Sequence, residues 1–324
     1  MTLTTARAPS PTPPHRGLGS ARNSLSDRAF RALTLTCGVL VLAVLGLIAV
    51  STTTEAWPAF REEGLGFVFG TRWAPSAGVF GSLEFVYGTV VISAIALVLA
   101  VPVSVGIALF LSDLAPRRLR RAASSLIDLL AAVPSVVYGL WGILVFAPFV
   151  VEIYDWISRN TESVPVLSTL FAGPVSGFSF FTAGVILALM ITPIITSITR
   201  EVFDTVPASQ KEAAYALGAT RWEMIRAAIF PHSRVGMVGA VLLGLGRAMG
   251  ETIAAALVIG SSPQITARLF GTGDAMAAVI ANEFGESGGI HRAALIGLGV
   301  ELFLITILVN LVARAIVNRG LRRP

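Results

Sequence analysis

The chain is 324 residues long, 54% hydrophobic and only 13% charged, with a formal net charge of +5. A soluble domain carries about a quarter charged residues, so this composition excludes an ordinary soluble protein and indicates one that crosses a membrane repeatedly. The basic residues form no single patch, which argues against a nucleic-acid partner, and the one cysteine, Cys37, excludes an intramolecular disulfide framework.

In chain order, the first 30 residues are rich in Pro, Ser, Thr and Arg, as in ARAPSPTPPHRGLGSARNS. Such a composition cannot bury a core, so a disordered cytoplasmic tail is predicted over 1–30 and one transmembrane domain over 31–324. Ala32 to Val50 carries no charge and is long enough to cross a bilayer. Further spans are predicted at about 85–111, 123–150, 178–199, 235–259 and 293–313. Pro102, Pro134, Pro148 and Pro193 fall inside them and read as packing kinks, which membrane helices tolerate because neighbours satisfy the freed backbone groups. Of the 24 Lys and Arg, 18 fall on one side of these spans and five (Arg61, Arg72, Arg159, Arg268, Arg292) on the other. By the positive-inside rule both termini are then cytoplasmic, which requires an even number of spans. The expected fold class is an all-α polytopic membrane protein with six transmembrane helices in a cell membrane.

Several chemistries are absent. Lys211 is the only lysine and Glu212 follows it, so no Walker A loop can form. Gly244-Leu245-Gly246 starts like a dinucleotide fingerprint, but Met249 stands where the last glycine belongs. His15, His232 and His291 lie in separate segments, so no cluster has metal-ligand spacing. No nucleophile has a neighbouring base. The chain therefore reads as a transport protein powered elsewhere, with no catalytic residue, metal or cofactor of its own.

The stretch from Arg200 to Arg234, REVFDTVPASQKEAAYALGATRWEMIRAAIFPHSR, is longer than a connector needs to be. Ser209-Gln210-Lys211-Glu212 has capping-box spacing, so a helix through Ala213, Ala214 and Leu217 is predicted. Gly218 can take the left-handed conformation that ends it. A second helix, from Arg221 to about Phe230, should stop before Pro231. Small residues on the first helix permit close approach of another protein; a capped amphipathic helix on the membrane surface is the other reading. The loop resembles the E-A-A-x(3)-G-x(9)-I-x-L-P pattern of ABC importer permeases, with Glu212-Ala213-Ala214, Gly218 and Pro231 in register and Ala228 and Phe230 replacing Ile and Leu. The resemblance implies a type I ABC importer permease fold, with a cytoplasmic coupling helix between the fourth and fifth spans. On it, Glu212, Ala213, Ala214 and Gly218 would dock a separate ATPase, which itself uses ATP and Mg.

Within the fifth span, GLGRAMGETIAAALVIG places Arg247 and Glu251 four residues apart, on one face of a helix about one turn from each other. A charge at the centre of a span costs roughly 2.5–3.5 kcal/mol on insertion scales. One account is a mutually neutralising pair that fixes packing, aided by Gly246 and Gly250 at G-x-x-x-G spacing. The other is a substrate pathway, in which the arginine fork attracts phosphate or carboxylate oxygens and Glu251 positions it or gates it. Glu301, about nine residues into the sixth span, should face protein or water and is a further candidate partner for Arg247. Asp128, near the inner end of the third span, is expected to reach towards the interface and the RRLRR cluster, and Glu84 sits near the outer surface.

LGRAMGETIAAALVIG and the outer segment AAVIANEFGES, Ala277 to Ser287, resemble signatures of the C-type (PstC) permease subunits of phosphate ABC importers. The likeness covers the chain beyond the tail, although a proline expected near Thr272 is missing. It implies phosphate import, with Arg247 and Glu251 in the pathway. It also implies a PstA-like permease subunit as heterodimer partner, two copies of an ATP-binding subunit and an extracytoplasmic phosphate-binding protein. Asn282, Glu283 and Glu286 would contact that binding protein or shape an external gate, unless they are an ordinary hydrated loop. Two other activities fit the same residues: a permease for another oxyanion such as sulfate, and an ion-coupled carrier in which Arg247, Glu251 and Glu301 relay charge.

Overall fold

The computed structural model describes residues 25–171 and 175–321. Most of the expected tail, residues 1–24, lies outside the described residues, and helix α1 (Leu25–Glu63) begins within its last part. The described residues up to Ser51 form one compact unit and those from Thr52 a second. In the first, Leu33, Leu35, Val39, Leu42 and Leu47 are all exposed, the all-round apolar surface of a membrane helix.

The second unit continues with α2 (Gly66–Phe69) and a two-stranded hairpin, β1 (Trp73–Ala74) and β2 (Val79–Phe80), in which Trp73 pairs with Phe80. Next come α3 (Leu83–Leu109), which runs into a π turn over Phe110–Leu114, and α4 (Arg117–Ala131). A second π turn, Gly142–Phe146, joins α5 (Ser135–Trp141) to α6 (Ala147–Thr161), and α7 (Pro165–Phe171) and α8 (Phe180–Asp204) follow. After α9 (Ala208–Ala216), a third π turn, Ile225–Ile229, joins α10 (Arg221–Met224) to α11 (Phe230–Met249). The chain closes with α12 (Ile253–Val258), α13 (Met276–Glu283) and α14 (Gly289–Leu321).

Among the described residues six helical stretches are long and apolar enough to cross a membrane: 27–63, 83–114, 135–161, 180–204, 221–249 and 289–315. The third and fifth differ from expectation. The predicted third span, 123–150, merges two elements, because Pro134 starts a new helix at Ser135 and leaves 117–131 as the separate α4. The predicted fifth span, 235–259, starts earlier and ends at Met249.

Pro231 does not stop the second loop helix. It stands two residues past a π turn, as Pro148 does, and at both the helix runs on. A proline ring clashes with the carbonyl four residues back. Here that carbonyl belongs to a widened turn with i→i+5 bonding, Ala147 N–H to Gly142 and Phe230 N–H to Ile225, which gives the ring room.

The main core joins α3, α8, α11 and α12 through Ile92, Ala96, Ala183, Ile191, Ala248 and Val258, all buried, and Tyr138 of α5 packs against it. Small residues dominate it because, in lipid, helices associate through close packing rather than by escape from water. Gly236 and Gly244 are the close-contact glycines of α11: β-carbons there would lie 2.5 Å from Val202 Cγ1 and 2.6 Å from Ile195 Cδ1 of α8. The G-x-x-x-G pair does not play that part. A β-carbon at Gly246 meets nothing within 4 Å, and at Gly250 only the Gly246 carbonyl at 3.5 Å.

Candidate functional site

Two places concentrate the chain's polar chemistry. The first is the loop between α8 and α11. Thr205 ends α8, and α9 starts at Ala208 with Pro207 as its N-cap and no side-chain cap. The expected Ser209–Glu212 box is therefore not formed: the helix begins two residues too early for Ser209 to flank it. The box forms instead at Thr220–Glu223, where Glu223 N–H donates to Thr220 Oγ1 and Thr220 N–H donates to Glu223 Oε2 at 2.8 Å. The spacing T-x-x-E in TRWE carried that signal. Gly218 sits between the two helices at φ 81°, and a β-carbon there would meet nothing within 4 Å.

This loop is anchored to the rest of the unit by an ion pair and by a buried apolar cluster. Lys211 Nζ donates to Asp113 Oδ1 at 2.8 Å, joining α9 to the end of the second span, and neighbouring Ser112 donates to Asp204 at 2.8 Å. Ala214 packs on a buried cluster formed by Phe203, Val206, Met224, Ile225 and Ile229. The remaining surface is exposed: Glu212 and Ala213, together with Tyr215 and Leu217, the latter 89% exposed. The four expected docking residues are thus split between one that packs inward, Ala214, and three, Glu212, Ala213 and Gly218, that face outward. Sequence reasoning missed the Lys211–Asp113 bridge, whose partners are 98 positions apart.

The second place is the end of α11. Helical structure stops at Gly250 and resumes at Ile253. In a continuous helix Ala254 N–H would bond to the Gly250 carbonyl. Here Glu251 Oε1 accepts that N–H at 3.4 Å and Thr252 Oγ1 donates to the Gly250 carbonyl at 3.3 Å. The two side chains take both halves of the missing bond, which explains the break without a proline.

The break corrects the expected geometry. Arg247 and Glu251 do not share one helix face, and Arg247 has no ion pair within 4.0 Å among the described residues, with Glu251 or with Glu301. Glu251 is 9% exposed, whereas Arg247 is exposed and lines an open cleft of about 1030 Å³ between α8, α11 and α14. Val202, Leu243 and Phe303 give the cleft mostly apolar walls, and Arg314 stands on its lining as a second cation. Its position in the last turn of α11 puts the Arg247 guanidinium at the negative end of that helix. The Tyr138 side chain of α5 is within its electrostatic reach, a neighbour that sequence spacing does not reveal. Glu301, 8% exposed, belongs elsewhere: it lies against Ser82, and its Oε2 has no hydrogen-bond partner among the described residues. Asp128 also takes another partner, accepting from Ser197 of α8 at 3.2 Å rather than reaching for the arginine cluster.

At the opposite end of the bundle from α9, Glu283 closes α13. Its Oε2 accepts from Trp73 Nε1 at 3.0 Å and lies 2.8 Å from His291 Nε2, fastening the hairpin, α13 and α14 together. Asn282, exposed, donates to Ser261 at 3.4 Å, and Glu286 is exposed on the turn before α14. Asp274, just before α13, is buried, and its Oδ1 accepts the Ala275 N–H at 2.8 Å. Burial pushes its carboxyl up to about 6, against the lowering effect of that bond and with Glu283 adding to the rise.

The family model for the binding-protein-dependent transport system inner membrane component matches residues 100–322. A Mesorhizobium japonicum protein named phosphate transport system permease protein PstC is 44% identical over 300 residues, covering 92% of each chain. The Haemophilus influenzae protein of the same name is 43% identical over 294 residues, 90% of this chain and 93% of that one. Among solved structures, a chain of the MetNI methionine ABC transporter in an inward-facing conformation matches with a TM-score of 0.53 at 16% identity, over 78% of this chain and all of that one. A chain of a bacterial ABC transporter that imports the acidic polysaccharide alginate matches with a TM-score of 0.53 at 17% identity, over 90% and 99%. At these identities the structural matches establish a shared permease fold and nothing about cargo.

Proposed function

The chain belongs to the family of binding-protein-dependent transport system inner membrane components, and from that premise we propose that it forms half of the translocation pathway of an ATP-driven phosphate importer. It is a multi-pass membrane transport subunit, not an enzyme, and it works with the other parts of an ABC importer: a second permease, an ATPase and a binding protein. In this reading the second permease is a PstA-like subunit and two copies of the ATP-binding subunit carry ATP and Mg. An extracytoplasmic binding protein delivers phosphate to the end bearing Asn282, Glu283 and Glu286. Both termini are cytoplasmic, in accord with the excess of arginine on that side.

The exposed side of α9, with Glu212, Ala213 and Gly218, docks the ATPase, while Ala214 seats the helix on the permease. Because Lys211 ties α9 to Asp113, a displacement of the docked ATPase is passed to the end of the second span. Glu251 stabilises the helix break and so leaves Arg247 uncompensated. A guanidinium with no carboxylate beside it retains all its donors for an oxyanion.

One observation carries the cargo: Arg247 is an exposed cation inside a span, facing a cleft, with no acidic partner among the described residues. The test is ATP-dependent phosphate uptake by the co-expressed transporter, with sulfate as control and Arg247→Gln beside the native chain. Loss of a charge-assisted contact, about 1.5–3 kcal/mol, predicts a fall of roughly 10- to 150-fold in phosphate uptake with the complex still assembled. Undiminished uptake in the variant would remove Arg247 from the pathway. Uptake of sulfate but not phosphate would keep the machine and replace its cargo.

A further inference from the structure

Helix α4 is left unexplained by the transport reading. It lies outside the six spans, between the second and the third, at the same end of the bundle as α9. Its sequence, RRLRRAASSLIDLLA, sorts into three faces at 100° per residue. Ala123, Ile127 and Ala131, half-buried, lie on the side towards α8, where Asp128 also meets Ser197. A second face carries Leu119, Leu126, Leu129 and Leu130, which are 46%, 58%, 68% and 41% exposed. The third is polar and begins with Arg117, Arg118 and Arg121, all exposed.

Two facts about these faces point to one occupant. None of the four arginines 117, 118, 120 and 121 has an ion pair within 4.0 Å among the described residues, and the helix's only carboxylate, Asp128, is engaged by Ser197. Four cations in five positions repel one another unless an anionic surface compensates them. Beside them the leucines form a stripe that the described residues leave about half open. A helix with arginines on one face and leucines on the next lies in the plane of a membrane interface, leucines among acyl chains and arginines at headgroups. Its ends fit that position. Pro116 separates it from the end of the second span and Pro134 from the start of the third, so both of its neighbours leave it at the membrane surface.

We infer that α4 is a binding site for anionic lipid headgroups of the leaflet on the α9 side, with Arg117, Arg118 and Arg121 as the phosphate-contacting residues and the leucine stripe as the acyl contact. The inference rests on the chain being a membrane protein and not on its cargo. Anionic lipid would hold α4 against the inner surface and so fix the end of the second span, to which Lys211 of the docking loop is also tied.

The test is native mass spectrometry of the purified complex, with its partner subunits, titrated with phosphatidylglycerol, phosphatidylcholine or inorganic phosphate. Each arginine near an anionic lipid surface contributes about fivefold in affinity. Arg117→Gln/Arg118→Gln/Arg121→Gln should therefore weaken phosphatidylglycerol binding on the order of 100-fold, and the corresponding triple Lys variant, which keeps the charge, should bind as the native complex does. Equal binding of phosphatidylcholine, or native-like phosphatidylglycerol binding by the Gln variant, overturns the proposal. So does displacement of the lipid by inorganic phosphate at equal concentration. If the Gln variant instead loses a partner subunit while its lipid binding is unchanged, the face belongs to a protein contact and the lipid site is refuted. A Gln variant that fails to assemble is replaced by Arg118→Gln alone, for which a loss of about fivefold is expected and none would refute it.

Discussion

Pro231 and Gly250 stand 19 residues apart in one helical stretch, and they behave in opposite ways. At Pro231 a residue that cannot donate a backbone hydrogen bond leaves the helix running, because the π turn over Ile225–Ile229 has already widened the turn its ring enters. At Gly250 a residue that could continue the helix does not, because Glu251 and Thr252 take both partners of the next backbone bond. A helix therefore ends where its backbone groups find better partners, and a proline is neither necessary nor sufficient. The structural consequence differs as well. The continuous junction joins α10 and α11 into one helical stretch, whereas the break takes Glu251 off the helix that carries Arg247.

The strongest way to break that contrast is to remove the competing side chains. Glu251→Leu with Thr252→Leu restores the Ala254-to-Gly250 backbone bond and lets α11 run on into α12. Phosphate uptake by the assembled complex should fall by about 100-fold, comparable to the loss of one charge-assisted contact. Spin labels at positions 243 and 257 should report the roughly 21 Å separation of a continuous helix. Unchanged uptake together with a rejoined helix would mean that the break has no part in transport.

A second carboxylate at a helix start sharpens the contrast. Asp274 accepts the Ala275 N–H at the start of α13 much as Glu251 accepts that of Ala254, but it is raised by burial from 3.8 to about 6. The folded state then binds the proton more tightly than the unfolded one. Its contribution is full below about pH 4 and is lost as pH rises through about 6, a swing of about 3 kcal/mol. Asp274→Asn keeps an acceptor for Ala275 and removes the ionisation. Thermal unfolding of the variant should lose this part of the pH dependence between 4 and 6 and show a more stable protein at pH 7.

Gly218 is a third kind of break, set by a left-handed backbone rather than by side-chain competition. Gly218→Ala has open space for its methyl group, so its effect should be the conformational cost alone, about 1 kcal/mol, read as fraying of the loop by hydrogen exchange. The smallest effect is expected at the proline itself. Since the π turn already accommodates the ring, Pro231→Ala should shift unfolding by less than about 1 kcal/mol, within a few degrees in Tm. A large destabilisation there would show that the proline holds the π turn open.

Much of this chain can be read without its structure. Apolar runs mark six spans, and Gly218 declares the end of α9. What misleads is local spacing read without its surroundings. Ser209 and Glu212 have the spacing of a capping box, yet α9 starts at Ala208 and the box forms at Thr220 and Glu223. Arg247 and Glu251 have the spacing of an ion pair, but spacing has that meaning only on an unbroken helix. Gly246 and Gly250 have the spacing of a helix contact, while Gly244 is the residue that meets Ile195.

Residence in a membrane follows from the order of the amino acids alone, because hydropathy is a property of composition and the bilayer rewards it wherever it occurs in long enough runs. So do the place where a left-handed turn can form and the identity of the cations that have no acid nearby in the chain. Folding in three dimensions decides which backbone bonds are given up, that Lys211 finds Asp113 and Asp128 finds Ser197, and that Arg247 faces a cleft with no ion-pair partner among the described residues. Those outcomes depend on which groups from distant segments arrive within hydrogen-bonding distance, and a one-dimensional pattern holds no distances between segments.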